Sequence, residues 1–127
     1  MKLHLAQSAG NQLITGIGEG WIEVNEVRFG HSLIVMPKLL VTDWAAEDFS
    51  QLNEAHFERL AALAPEVILL GTGDTHRFAH PRLSQTLTAA GIGLECMTTA
   101  AACRTYNILM AEGRHVAAAL IVQSRFL

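Results

Sequence analysis

Apolar and polar positions alternate twice in quick succession near the start of the chain. Ile22 and Val24 are separated by polar residues, and Val27 and Phe29 resume the alternation after Asn25-Glu26. This pattern predicts a β-hairpin with a two-residue loop. A type I′ turn favours glycine where Glu26 stands, so Glu26 must take a positive φ or the turn must differ. Ser32 to Met36 reads as a further strand closed by Pro37, and Leu39 to Asp43 as another short one.

The pattern then changes period. Asn53 is placed to cap a helix whose apolar positions Phe57, Leu60, Ala61 and Ala64 share a stripe ended by Pro65. Glu66 to Leu70 is apolar enough for a buried strand. Pro81 to Ala90 predicts a helix with proline at its start and Gly91 just past its end. Gly93 to Met97 is the next strand. Thr98 or Thr99 caps a helix from about Ala100 to Ala111, with Gly113 following, and His115 to Val122 is the last strand. Strand, helix and strand from Glu66 to Met97 form a βαβ unit with parallel strands. The expected fold is one compact α/β domain over residues 1–127, with a β-rich N-terminal half.

Composition supports that reading and excludes others. The 127 residues are 50% hydrophobic and 17% charged, which suits one folded domain with a real core. A formal net charge of -3, with no basic run, gives no electrostatic basis for binding nucleic acid. The longest clean apolar run, Val116 to Val122, is far short of the roughly 18–20 residues of a membrane span. The N-terminal residues resemble neither a signal nor a transit peptide. Cys96 and Cys103 form no disulfide framework, so reduced thiols in the cytoplasm are expected.

Candidate chemistry gathers at one edge. Parallel strands bring the loop Gly71-Thr72-Gly73-Asp74 and the helix start at Thr98-Thr99 to the carboxyl edge of the sheet, where open α/β sheets bind ligands. Unpaired N–H groups at the helix start and a reaching Arg104 would suit an anion. Gly71, Thr72, Gly73, Asp74, Thr99, Arg104 and Asn107 are the candidate binding residues. A purely structural role competes with this: glycines serve any tight turn, and Thr99 can act only as a cap. A nucleotide loop is excluded by the missing third glycine, the missing Gly-Lys-Ser/Thr and a helix that starts only at Pro81. His76 and His80 stand four apart, but Pro81 disfavours the helix a metal pair would need. Cys96 and Cys103 read as core residues, and Trp44 as a loop residue covering the core.

Three segments together carry a resemblance. "GWIEVNEVRFGHSLIV" (20–35), "PEVILLGTGD" (65–74) and "TTAAACRTYNILMAEGRHVAAALI" (98–121) resemble a small family known mainly as a domain of unknown function. It includes uncharacterised bacterial and archaeal proteins, the mitochondrial complex I assembly factor 3 and an adipogenesis-associated protein. Gly71-Thr72-Gly73 and Ala102 to Asn107 are its most specific parts, while Glu26 departs from the Asn-Gly turn expected of the family. The resemblance implies a three-layer-like α/β domain with a mixed central sheet. It implies no reaction and no cofactor, and it points to protein contacts, with a membrane complex as one kind of partner. A mitochondrial targeting segment is missing, which suggests a bacterial-type cytoplasmic relative. Oligomeric state is not legible. Two readings stand: a non-catalytic assembly-type protein, and a small-molecule or anion binder or enzyme using the Gly71–Asp74 and Thr99–Arg104 edge.

Overall fold

A computed structural model describes residues 10–123 of the chain. The sequence expectations for the first nine residues and for the tail after Gln123 lie outside the described residues. In chain order the elements are β1 (Ile14–Gly18), β2 (Trp21–Val24), β3 (Val27–Phe29), β4 (Leu33–Met36), β5 (Leu39–Val41), a short 3-10 turn (Phe49–Gln51), α1 (Glu54–Ala62), β6 (Val67–Gly71), α2 (Pro81–Ala89), β7 (Gly93–Met97), α3 (Thr99–Ala111) and β8 (Val116–Leu120).

The strands form two sheets. β1, β2 and β3 make an antiparallel meander, and the larger sheet runs β5-β4-β8-β6-β7. β6 is parallel to both β7 and β8, whereas β4 is antiparallel to β8 and to β5. The central sheet is therefore mixed. The chain leaves β7, crosses over β6 in α3, and returns as β8 on the far side of β6.

Period-two alternation divides the core between the two faces of this sheet. Leu33, Val35, Leu69, Val116, Ala118 and Leu120 face α3 and the meander, meeting Tyr106, Met110, Ile22 and Val24. Ile34, Met36, Ile68, Leu70, Ala117 and Ala119 face the opposite way, toward Phe57 and Leu60 of α1 and Leu87 of α2. Central strand β8 is fully buried, and its three consecutive alanines let both outer layers approach closely. The result is three layers, with the sheet in the middle.

Local chemistry sets the boundaries. Asn53 caps α1 through the N–H groups of Ala55 and His56, and the His56 ring accepts in turn from the Asn53 N–H, completing a capping box. His80 caps α2, its Nδ1 accepting from the Arg82 N–H at 3.0 Å. That bond spends one ring nitrogen of the His76/His80 pair on helix capping. Trp44 is buried and donates its indole N–H to the His56 carbonyl.

The Asn25-Glu26 turn has φ of +49° and +70°, so both central residues take the left-handed conformation of a type I′ turn. A side chain at φ +70° is strained, and glycine relieves that at the cost of a freer unfolded chain. Glu26→Gly should therefore stabilise the protein by about 0.5–1 kcal/mol. A urea midpoint that stays put or falls would contradict this.

Candidate functional site

Seven residues were singled out by sequence, and the structure assembles most of them into a seam. The β6 loop and the N-terminus of α3 do meet at the carboxyl edge. Thr72 donates its backbone N–H to the Met97 carbonyl at 2.8 Å, and the Thr99 N–H reaches the Gly73 carbonyl at 3.0 Å. Thr98 is the cap of α3, accepting from the Ala101 N–H, which leaves the Thr99 side chain for another task. The buried Thr99 Oγ1 donates to the Ile121 carbonyl at 2.8 Å and accepts the Gly73 N–H at 2.9 Å. One hydroxyl thus joins the residue just past β8, the β6 loop and α3.

Thr72 acts in the same way within its loop. It is buried, its hydroxyl donates to the Thr75 carbonyl at 2.6 Å, and it accepts the Arg77 N–H at 3.2 Å. Gly71 is fixed by space. A Cβ there would stand 2.9 Å from the Thr99 Cα and 3.2 Å from a Leu120 methyl, closer than packed atoms approach. Gly73 holds φ +100°, a conformation that favours glycine.

Asn107 and Arg104 lie apart from this junction. The Asn107 carboxamide clips β1 to α3: its Oδ1 accepts from the Ile14 N–H at 3.0 Å and its Nδ2 donates to the Ile14 carbonyl at 2.7 Å. It imitates a neighbouring strand for the edge of the meander. Arg104 is exposed on α3. Residues 104 and 107 stand five and eight positions along α3 from Thr99, so the rise of the helix carries both away from the loop at Gly73.

A cleft of about 420 Å³ does open at the seam. The β1–β2 turn with Gly18, Glu19, Gly20 and Trp21 forms one wall, Gly73, Asp74 and Thr98 to Ala100 another, and Ile121 to Gln123 the floor. Of the seven residues, Gly73, Asp74 and Thr99 line it, and Gly71, Thr72, Arg104 and Asn107 do not. The turn wall was missed by sequence reasoning, because nothing local in Gly18-Glu19-Gly20 signals that it meets a helix start some eighty residues later. Trp21 packs flat over Gly18, where a Cβ would fall 2.3 Å from the indole, and the Arg28 guanidinium covers the indole at 3.9 Å.

The two buried titratable groups of α3 lie beneath this layer. Burial pushes the Cys103 thiol from its ordinary 9.0 up to about 12, with the Arg104 charge opposing the shift. Burial likewise raises the Tyr106 phenol, whose hydroxyl donates to the Gln12 carbonyl at 2.7 Å. A thiol held protonated is a poor nucleophile, so Cys103 is a core residue in chemistry as well as place. Its contribution to stability is complete below about pH 9 and is lost as pH rises toward 12, because the unfolded thiol has released a proton that the folded one keeps. Stability should fall across pH 9–10.5 more steeply in the wild type than in Cys103→Ala. Parallel pH profiles in chemical denaturation would contradict that assignment.

Comparison with known proteins supplies the family. A 13 kDa major membrane protein of Francisella tularensis is 28% identical over 104 residues, covering 81% of this chain and 85% of that one. The mouse NADH dehydrogenase [ubiquinone] 1 alpha subcomplex assembly factor 3 is 33% identical over 90 residues, 69% of this chain. Those residues are 48% of the mouse protein, so the chain spans about half the length of that relative. A crystal structure from Bordetella parapertussis superposes with a TM-score of 0.85 at 42% identity, covering 90% of this chain and 98% of that one. The family model described as a protein of unknown function (DUF498/DUF598) matches residues 14–121, from the first residue of β1 to just beyond β8. With layers, seam and glycine contacts in place over that whole span, the chain belongs to the DUF498/DUF598 family.

Proposed function

We propose that the chain is a non-catalytic assembly factor that works in the cytoplasm by holding a protein partner, a subunit bound for a membrane complex. The observation that carries this reading is its relation to the complex I assembly factors, at 33% identity over 90 residues for the mouse protein. The geometry supports it. The hydroxyls of Thr72 and Thr99 and the amide of Asn107, the groups a reaction at this edge would use, are engaged in bonds that fix the loop and join it, β1 and the end of β8 to α3. Among the described residues no helix is long and apolar enough to cross a membrane, so on this reading membrane complexes are met from outside the bilayer.

The test is capture of the tagged chain from its host after mild cross-linking, followed by reconstitution of the purified pair. A single partner that rebinds in stoichiometric amount is the expected result. Bait alone, or a partner that fails to rebind, would contradict it.

The cleft favours a second reading, a small-molecule or anion site at the α3 N-terminus, where backbone N–H groups and the positive dipole end converge. A bound ligand would raise the melting temperature by mass action. Inorganic phosphate, nucleotides and carboxylic acids form the first panel. Any shift should disappear in Ala100→Leu, which fills the cleft from the first turn of α3.

A further inference from the structure

The segment after the seam carries chemistry that neither the core nor the cleft uses. From Thr75 to Leu94 the sequence contains no aspartate or glutamate, although the chain as a whole has 12 of them and a net charge of -3. The same stretch holds Arg77, Arg82, His76 and His80. All four are exposed. Neither arginine joins an ion pair among the described residues. Asp74 and Glu95 flank the stretch in sequence, and Asp48 feels the charge of Arg77 while bonding to Ser50 and Gln123.

In sequence Phe78 stands between the two arginines. It is 77% exposed, the most exposed large apolar side chain among the described residues, and its ring contacts that of His76 at 4.6 Å between centroids. Leaving a phenylalanine in water forgoes the transfer energy that buried counterparts such as Phe57 obtain. The Arg77 guanidinium lies 5.8 Å from the centroid of the Phe49 ring. The α2 N-terminus, capped by His80, directs its positive dipole end to the same place.

We infer that the loop from His76 to Arg82 docks the protein on an anionic membrane surface, with Phe78 entering the headgroup layer and Arg77 and Arg82 contacting lipid phosphates. An aromatic ring flanked by cations matches a diffuse negative layer lying over an apolar one. The surface is peripheral: one ring and two arginines give weak, reversible attachment that depends on salt. The inference rests on this loop alone and not on the partner reading, so either can fail without the other.

Sedimentation of the full chain with phosphatidylcholine vesicles, with and without about one-third phosphatidylglycerol, tests it. Binding is expected to the anionic vesicles only and to be reversed by high salt. Phe78→Ser and the double variant Arg77→Gln/Arg82→Gln should each weaken partitioning about tenfold. These side chains are exposed, so unchanged melting temperatures will show that the variants remain folded. Failure to sediment with anionic vesicles overturns the proposal, as does equal binding to neutral ones or full retention by both variants. Binding to a protein that Phe78→Ser abolishes, with vesicles still unbound, would assign the loop to protein recognition and overturn it equally.

Discussion

Gly71→Val should be among the most damaging single substitutions in the protein. Gly71 ends β6 on the face that α3 crosses, and Thr99 sits directly above it. The nearest atom to an added Cβ is the Thr99 Cα, at 2.9 Å, which is backbone and cannot swing away. The Thr99 Oγ1 at 3.0 Å is pinned by its bonds to Ile121 and Gly73. Relief requires α3 to lift from β6, which opens the buried face around Leu69 and Leu120. Overpacking of this kind costs about 3 kcal/mol. At this chain length that corresponds to a fall in melting temperature of roughly 10 °C. Gly71→Ala should show the same effect at smaller size. A Gly71→Val protein that melts with the wild type would show that the helix start does not press on the strand.

Tyr106→Ala should cost as much or more, by a different route. Tyr106 is fully buried under the meander, and its removal empties the largest side-chain volume among the fully buried residues. Truncation of a large buried aromatic costs about 3–5 kcal/mol. Tyr106→Phe should cost only about 1 kcal/mol, the value of the hydrogen bond to the Gln12 carbonyl. The gap between the two separates packing from hydrogen bonding, and calorimetry reads both. Near-equal losses would mean that the hydroxyl rather than the ring ties the meander to α3.

Much of this architecture is legible in the chain because its causes are local. The alternation at Ile22–Phe29, the caps at Asn53 and Thr98, Pro81 at a helix start and Gly113 after a helix end all act within a few residues. The elements therefore fall within a residue or two of where the pattern puts them. The βαβ unit then brings Gly71–Asp74 and Thr98–Thr99 together by topology alone. Strand β1 is harder to see. Thr15, Gly16 and Gly18 dilute its apolar pattern, and its burial comes from partners far along the chain. Separation of the N-terminal strands into two sheets is equally invisible, since it depends on whether β3 and β4 pair.

The roles within the candidate edge need three dimensions. Sequence places Thr99 at a helix start, but only the fold shows its hydroxyl committed to Ile121 and Gly73. Asn107 reads as an available amide until Ile14, 93 positions away, is found against it. Arg104 reads as reaching the opening until the helix carries it outward. The cleft itself depends on a β1–β2 turn that no pattern links to the α3 N-terminus.

An assembly role and a ligand-dependent role at the cleft make opposite demands on the same variant. The decisive measurement is native electrophoresis of membranes from a host lacking the chain, with wild type or Ala100→Leu supplied in its place. A membrane complex should accumulate as a smaller subassembly in the deletion strain, and both the wild type and the cleft-filled variant should restore its full size. Complexes of normal size without the chain, or rescue lost in a folded Ala100→Leu protein, would contradict the assembly reading.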